Sequence, residues 1–236
     1  MHLRKYHGLG NDFLILVDPD GKQPIDVDLA RAACDRHRGV GADGLIRIAR
    51  PVAGGPLTME LRNADGTRAE TSGNGLRCVA LAVVDAGVEP GPELTVTTDA
   101  GPRRLTLHDD GTVSAEMGVA TIEGRHVDLG NPHEVVFVEQ LTVVSGPRAG
   151  VNVEYVTVGP EADELSMRVF ERGVGETEAC GSGACAAAAV AHAEGKVGPQ
   201  VTVHQPGGAV TVDLSGPTIV LTGPAAFVCE VDLPWP

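Results

Sequence analysis

The chain has 236 residues, enough for one large domain or two of about 100–120 residues each. A hydrophobic fraction of 42% provides enough apolar side chains for real cores, and an aromatic content of 3% makes those cores mostly Val, Leu and Ala. The formal net charge of −14 argues against nucleic acid or an anionic membrane surface as a partner.

The N-terminal stretch and the cysteines indicate a reducing compartment. The segment MHLRKYHGLGNDFLILVD lacks the apolar core of a signal peptide, and no apolar run in the chain approaches membrane-spanning length. The five cysteines are odd in number and fit neither a zinc-ligand spacing nor a disulfide scaffold. We therefore expect a cytoplasmic protein with no bound metal.

The first elements are short strands and a helix. Residues 3–17 predict two strands joined by a turn at which the Asn11 amide can either face a ligand or close an Asx turn. Residues 28–38 predict a helix that ends at Gly39. The segment Gly39–Gly44 matches G-x-G-x-x-G, but it follows a helix and precedes a strand. That order is the reverse of a dinucleotide-binding motif, so we interpret the segment as a turn.

A helix surrounded by strands completes the first half. Thr58–Arg62 predicts a strand, and the turn signal Asn63–Gly66 leads to a loop at Ser72. Residues 76–87 predict a central helix, and residues 94–117 predict antiparallel strands.

The second half begins with a strand that ends in a polar corner, His126–His133. Its Asn131 and His133 are either turn residues or groups that face a ligand. Asn152 lies in the strand-like run VNVEYVTV, where an inward-facing polar side chain needs a partner. After a second helix, residues 200–230 are rich in predicted strands.

The glycine-rich loop around Cys180 is the most informative stretch. Residues Arg168–Ala188 predict a strand, a tight loop and an alanine-rich helix, with Cys180 at the helix N-terminus. Unpaired N–H groups and the helix dipole at this position stabilise an anion, which favours the thiolate form of Cys180. The N–H groups of Gly181, Ser182 and Gly183 can hold a substrate carboxylate. The alternative is a structural cysteine, but burial alone would not require so many glycines.

An internal repeat indicates the architecture. Residues 59–78 overlay residues 167–186 at a constant offset of 108, and a Gly-x-Gly pattern precedes a helix in both copies. Ser72 falls on Cys180. Repeats of this kind predict an α+β fold of two quasi-symmetric halves, each a central helix wrapped by mostly antiparallel strands, with the active site in the cleft between them.

The boundary between the halves is expected near residue 118. Residues 1–118 then form the N-terminal half with the Ser72 loop, and residues 119–236 form the C-terminal half with the Cys180 loop. The last strand is free in this prediction to pack back on the first half.

The chain resembles the diaminopimelate epimerase family, within the cofactor-independent amino-acid racemase and epimerase class. The motifs that carry the resemblance occur over most of the chain in family order: Gly8-Leu-Gly-Asn-Asp-Phe13, Gly41-Ala-Asp-Gly44, Asn63-Ala-Asp-Gly66, Ser72-Gly-Asn-Gly75, Gly130-Asn-Pro-His133, Glu171-Arg-Gly-Val-Gly-Glu-Thr177 and Ala179-Cys-Gly-Ser-Gly-Ala-Cys185. The run from Glu171 to Cys185 is highly specific, whereas the isolated Asn and Gly motifs are not.

The resemblance implies an isomerase that interconverts LL- and meso-diaminopimelate in the biosynthesis of lysine and peptidoglycan precursors. In the family, two thiols work on opposite faces of the substrate α-carbon. One takes the α-proton as a thiolate, and the other delivers a proton as a thiol. The resemblance further implies a small amino-acid substrate, a homodimer, and no cofactor, pyridoxal phosphate included.

The family's functional positions carry over to specific residues of this chain. The resemblance implies catalytic roles for Cys180, Ser72, Glu171 and His133. It implies that backbone N–H groups at Gly73–Asn74 and Gly181–Ser182 meet the reacting carboxylate. Five residues are implied to hold the distal ammonium and carboxylate of the substrate: Asn11, Asn63, Asn131, Asn152 and Arg172. Glu171 and His133 are implied to flank the reacting centre and its ammonium.

Ser72 stands where the family has its first catalytic cysteine. A hydroxyl is a far weaker acid than a thiol, whose reference pKa is about 8.5, so Ser72 is not a plausible resting base, although it can donate a proton. We therefore expect reduced activity, and no disulfide between this position and Cys180. The serine is explained by engineering, by a natural lineage with weaker activity, or by a change to elimination chemistry.

Two other functional classes remain open. One is another amino-acid racemase or a hydroxy-amino-acid dehydratase on the same fold, which turnover of a β-hydroxy amino acid to a keto acid would reveal. The other is a non-catalytic amino-acid-binding protein, which would bind without α-proton exchange. The intact Cys180 loop argues against a binding protein, because such a protein needs no activated thiol.

Overall fold

A computed structural model of the chain describes residues 1–50, 55–142, 144–172 and 174–235. The helices and strands are, in chain order, β1 His2–Gly8, β2 Asn11–Asp18, α1 Val27–Cys34, β3 Gly44–Ala49, β4 Leu57–Asn63, β5 Arg68–Ala69, α2 Gly73–Asp85, β6 Glu93–Thr98, β7 Gly101–Leu107, β8 Thr112–Gly118, β9 Thr121–Glu123, β10 His126–Asp128, β11 Pro132–Phe137, β12 Asn152–Val158, β13 Glu164–Glu171, β14 Gly175–Thr177, α3 Gly181–Ala193, β15 Gln200–Gln205, β16 Gly208–Asp213, β17 Ile219–Pro224 and β18 Ala226–Asp232. Of the helices so described, none combines the length and apolarity that a bilayer crossing requires.

The chain divides into two compact units. The first unit consists of Met1–Gly8, Asp12–Val113 and the residues from Pro224 onward, and the second unit consists of Leu9–Asn11 and Ser114–Gly223. The last strand belongs to the first unit because β18 pairs antiparallel with β1, from His2 opposite Asp232 to His7 opposite Ala226. These limits differ from an expected boundary at residue 118.

Helix α2 forms the centre of the first unit. Ten of its thirteen residues are buried, and it packs against β1, β3, β7 and β18. A helix covered on nearly all sides must be apolar on nearly all sides, which the run Leu76–Val83 largely is. The helix ends where Gly87 takes a φ of +68°, and the N–H groups of Gly87 and Val88 return to the carbonyls of Val84 and Val83.

Helix α3 forms the centre of the second unit in the same way. Eleven of its thirteen residues are buried, and it packs against β10, β11, β12, β13, β15 and β16. Its alanines allow the surrounding strands to approach closely. The helix ends at Ala193, and Gly195, which follows the cap residue, also has a φ of +68°. The N–H groups of Gly195 and Lys196 return to the carbonyls of His192 and Ala191.

Strand pairing follows one pattern in both units. In the first unit β2–β3 is parallel, β3–β4 antiparallel, β4–β6 parallel and β6–β7 antiparallel. The corresponding pairs of the second unit, β11–β12, β12–β13, β13–β15 and β15–β16, have the same directions. The central helices Gly73–Asp85 and Gly181–Ala193 begin 108 residues apart and have equal length. The predicted α+β fold with two quasi-symmetric halves is therefore confirmed.

Helix α1 is shorter than the predicted helix over residues 28–38. It begins after Asp26, whose Oδ1 accepts the Leu29 N–H at 2.8 Å, and it ends at Cys34. Asp35 takes an extended ψ of 117°, and its Oδ1 accepts the N–H groups of His37 and Arg38, both at 2.8 Å. This local side-chain bonding competes with helical bonding and stops the helix four residues early.

Candidate active site

Cys180 is the N-cap of helix α3. Its backbone is extended, with φ −129° and ψ 116°, and its Sγ accepts the N–H of Gly183 at 3.4 Å. The Ser182 Oγ lies 3.5 Å from the same sulfur. The glycine-rich loop therefore positions the Cys180 sulfur directly at the amide end of the helix, where hydrogen-bond donors converge.

Ser72 occupies the matching position at helix α2. Its backbone is extended in the same way, with φ −149° and ψ 120°, and its Oγ accepts the N–H of Gly75 at 3.0 Å. Ser72 is half-buried, whereas Cys180 is buried. The two residues that the repeat aligns therefore have the same backbone role in their own units, with a hydroxyl in one and a thiol in the other.

The surroundings of Cys180 oppose the thiolate. Burial raises the pKa of the Cys180 thiol well above its ordinary value, and the negative charges of Glu171 and Glu154 raise it further. The hydrogen bonds from Ser182 and Gly183 lower the pKa but do not compensate. The expectation that the helix N-terminus favours the thiolate is therefore wrong for this arrangement of side chains, because loss of hydration outweighs a few donors.

The hairpin formed by β15 and β16 is hydrogen-bonded to the Cys180 loop. The Gln205 Oε1 accepts the Cys180 N–H at 2.7 Å, and the Gly207 N–H donates to the Glu178 carbonyl at 2.9 Å. On the other side of Glu178 lies Gly10, where a Cβ atom would run into the Glu178 carboxylate. The loop is thus held by one side-chain and one backbone hydrogen bond, and a residue larger than glycine has little room at position 10.

His133 and Asn131 lie beside the amide end of α3. The His133 Nδ1 lies 2.7 Å from the Glu154 Oε1, and both side chains are completely buried. The His133 Nε2 lies 3.0 Å from the Asn131 Oδ1, and the Asn131 Nδ2 donates to the Ser182 Oγ at 3.2 Å. These contacts connect the polar corner of the sequence to Cys180 through Ser182.

Glu171, Asn152 and Arg172 lie at neighbouring strand ends of the second unit. The Glu171 Oε1 accepts the Thr177 hydroxyl at 2.6 Å. Asn152 is buried, and its Oδ1 accepts the backbone N–H of Arg172 at 2.8 Å. The inward-facing Asn152 therefore has the hydrogen-bond partner that its position requires. The same bond fixes the orientation of its Nδ2 group.

The first unit brings Ser72, Gly73 and Asn74 together through Arg77. The guanidinium of Arg77, a completely buried side chain, donates to the Gly73 carbonyl at 3.1 Å and to the Asn74 Oδ1 at 2.7 Å. It also donates to the Pro224 carbonyl at 3.2 Å. The Asn63 Nδ2 donates to the Thr67 Oγ1 at 3.1 Å.

Three buried residues of the site were not predicted from the sequence: Glu154, Gln205 and Arg77. One signal was available for Glu154, because alternation along β12 puts it on the same face as Asn152, which was predicted to face inward. Gln205 carries no comparable signal. Over the described ranges, no three His, Cys, Asp or Glu side chains are grouped so that they could ligate a metal ion.

Solved structures share the fold. A PhzF-family phenazine biosynthesis protein of Bacillus anthracis superposes with a TM-score of 0.78 at 17% identity, covering 100% of this chain and 99% of its own. A hydroxyproline epimerase of Agrobacterium vitis superposes with a TM-score of 0.74 at 17% identity, covering 98% and 91%. At this identity the likeness establishes the fold alone, a class that includes an amino-acid epimerase.

Sequence comparison identifies the family. The family model described as diaminopimelate epimerase matches residues 3–123 and 125–228. The diaminopimelate epimerase of Thermobifida fusca is 38% identical over 270 residues, covering 99% of this chain and 98% of the relative. That of Moorella thermoacetica is 37% identical over 279 residues, covering 99% of each. The chain belongs to the diaminopimelate epimerase family, whose members are isomerases.

Proposed function

We propose that the protein interconverts LL- and meso-diaminopimelate without a cofactor, by proton transfer at the α-carbon. The proposal is supported by family membership and carried by one observation, the matched N-cap geometry of Cys180 and Ser72. Inversion needs an acid or base on each face of the α-carbon, because a single base would return the proton to the face from which it came. Cys180 serves one face, and Ser72 serves the other.

The Ser72 hydroxyl limits the rate. Its acidity is far below that of a thiol, whose reference pKa is about 8.5, so removal of the α-proton from its face is disfavoured. Proton abstraction by Cys180 followed by return from Ser72 is the less impaired direction. We expect α-proton exchange from one stereoisomer to exceed net inversion.

Substrate binding activates Cys180 in this mechanism. The charge of Glu171 contributes to the raised pKa of the thiol. A substrate α-ammonium placed beside Glu171 neutralises that contribution, so the thiolate becomes accessible in the complex and not in the free protein. Protection of the thiolate from solvent then makes it a stronger base during the reaction.

Backbone amides hold the reacting carboxylate as charge develops on the carbanion. The backbone N–H groups of the first helical turns lie at Gly181–Ser182 in α3 and at Gly73–Asn74 in α2. Such fixed donors stabilise negative charge without reorganisation. His133 and Glu171 flank the reacting centre.

The distal end of the substrate determines specificity. We assign its ammonium and carboxylate to five residues: Asn11, Asn63, Asn131, Asn152 and Arg172. Substrates without a distal amino acid group cannot make the hydrogen bonds proposed with these side chains, which typically reduces catalytic efficiency by orders of magnitude. The active form is proposed to be a homodimer.

Isotope exchange tests this function. LL- and meso-diaminopimelate are incubated separately with the protein in deuterium oxide, and α-deuterium and isomer ratio are followed by NMR. We expect the protein to incorporate deuterium from one stereoisomer faster than it inverts the α-carbon. Cys180→Ala should lose both exchange and inversion, whereas the cysteine control Cys34→Ala should retain them. Binding without exchange would instead indicate a binding protein, and release of a keto acid from a β-hydroxy amino acid would indicate a dehydratase.

A further inference from the structure

A chain of hydrogen bonds runs from a buried carboxylate to the Cys180 sulfur. It passes from Glu154 to His133 at 2.7 Å, from His133 to Asn131 at 3.0 Å and from Asn131 to Ser182 at 3.2 Å. The Ser182 Oγ then lies 3.5 Å from the Cys180 Sγ. Every link lies within the second unit.

The donors in this chain have one consistent direction. The Asn131 Nδ2 donates to Ser182, so the Asn131 Oδ1 is left as the acceptor that faces the His133 Nε2. The other ring nitrogen faces a carboxylate oxygen. The His133 Nε2 therefore carries a hydrogen, which it donates to the Asn131 Oδ1. Because Asn131 donates to the Ser182 oxygen, the Ser182 hydroxyl hydrogen can point at the Cys180 sulfur.

Glu154 has the burial and position that this role requires. Its side chain is fully buried, its Oε1 lies 2.7 Å from the His133 Nδ1, and its Oε2 has no hydrogen-bond partner among the described residues. A Cβ atom on Gly183 would lie 2.7 Å from the Glu154 Oε1, which places the carboxylate directly under the first turn of α3. The positive end of that helix stabilises a negative charge there.

We propose that Glu154 is a positioning residue for proton transfer: it holds the His133 ring so that the Nε2 hydrogen faces Asn131, which orients Asn131 and Ser182 so that a hydroxyl hydrogen faces the Cys180 sulfur. The inference rests on the proposed epimerase function. Glu154 does not contact the substrate in this account. It acts through His133. The negative charges along this series of hydrogen bonds are Glu154 at one end and Glu171 beside Cys180 at the other.

The direct test measures His133 without any substrate. Histidine side chains are observed by two-dimensional ¹H–¹⁵N NMR, and the His133 signals are assigned by their loss in His133→Gln. We expect the His133 Nε2 to carry a hydrogen in the unmodified protein, and we expect the His133 ring signals to change in Glu154→Gln but not in the control variant. The control is Glu134→Gln, which removes an equal charge from the adjacent residue, where Glu134 pairs with Arg148 at the surface.

The kinetic test is a double-mutant cycle on kcat for α-deuterium exchange. Glu154→Gln and Ser182→Ala break the chain at opposite ends, and the alanine keeps its backbone N–H for the carboxylate. Loss of a group that orients a metal-ligating histidine reduces activity about 10–100-fold, and we expect an effect of the same order here. We expect each variant to lower kcat by that amount with little change in KM, and the double variant to be no worse than either alone.

The outcomes separate this inference from the proposed function. An unchanged His133 spectrum in Glu154→Gln, or additive losses in the cycle, would overturn the positioning role. Absence of exchange in every variant, with the His133 spectrum still responding to Glu154, would contradict the epimerase function and leave the assignment of Glu154 to His133 standing. If Glu154→Gln does not fold, the spectrum of the unmodified protein and the kcat of Ser182→Ala carry the test.

Discussion

Gly183→Ala tests whether the amide end of α3 is packed against Glu154 as tightly as the structure indicates. The added Cβ would lie 2.7 Å from the Glu154 Oε1 and 3.1 Å from its Cγ. Real Cβ atoms do not approach oxygen this closely, so the carboxylate or the first helical turn must shift. Glu154 is fully buried and bonded to His133, so it has no open space to enter.

The repeat supplies a matched control, Gly75→Ala, at the same position of α2. A Cβ on Gly75 would meet the end of the Ile46 side chain at 3.1 Å and the Ser72 Oγ at 3.3 Å. The Ile46 methyl can yield by a few tenths of an ångström. Replacing glycine by alanine in a helix gains up to about 1 kcal/mol, whereas overpacking a core costs about 1–3 kcal/mol. We therefore expect Gly183→Ala to be less stable than Gly75→Ala by roughly 1–2 kcal/mol.

The assay is urea unfolding followed by circular dichroism, with midpoints and slopes compared among the three proteins. Gly183→Ala should have a lower midpoint than the unmodified protein, whereas Gly75→Ala should remain close to it. Gly183→Ala should also lose α-deuterium exchange, because displacement of Glu154 disturbs His133. Equal stability of the two variants would refute the close approach of Gly183 to Glu154 and the reasoning built on it.

Two further predictions concern buried ionisable groups. Arg77→Met should lower the free energy of unfolding by about 3–5 kcal/mol in urea titrations, because the Asn74 amide and two backbone carbonyls lose a charged donor, and a cost below 1 kcal/mol would contradict this. Alkylation of Cys180 by iodoacetamide, measured by peptide mass spectrometry, should rise steadily from pH 7 to pH 9 without a plateau, because a raised pKa leaves little thiolate in this range. Glu171→Gln removes a negative charge that raises this pKa, so it should increase the alkylation rate at pH 8, whereas Cys34, whose pKa burial raises to about 12, should stay unreactive in both proteins.

The features that the sequence predicts correctly are local. A Gly-x-Gly segment after a small polar residue specifies an N-cap and a helix start, so the two copies predict two equivalent helices and the equivalence of Ser72 and Cys180. The repeat also predicts that the two units have equivalent strand pairing, but it does not predict that the pairs β2–β3, β4–β6, β11–β12 and β13–β15 are parallel. The inward-facing Asn152 is also predictable, since a strand alternates its faces and a buried amide must be paired.

The features that the sequence does not predict depend on distant residues. The pKa of Cys180 is governed by burial and by the carboxylates of Glu171 and Glu154, which come from two different strands. A helix N-terminus considered alone predicts a lowered pKa for Cys180, because helix propensity and the helix dipole depend only on the residues of the helix. The predicted end of α1 is wrong for a related reason. The Asp35 side chain accepts hydrogen bonds from the backbone N–H groups of His37 and Arg38, and these bonds compete with helical hydrogen bonds.

The most direct measurement of the central claim is the rate of isomer interconversion in Ser72→Cys. If Cys180 and the residue at position 72 serve the two faces of the α-carbon, a thiol in place of the hydroxyl should increase net inversion about 10²–10⁴-fold, the usual contribution of a well-placed acid or base. Cys180→Ser in the same background should abolish that gain. An unchanged inversion rate in Ser72→Cys, with LL- and meso-diaminopimelate both bound, would contradict the account.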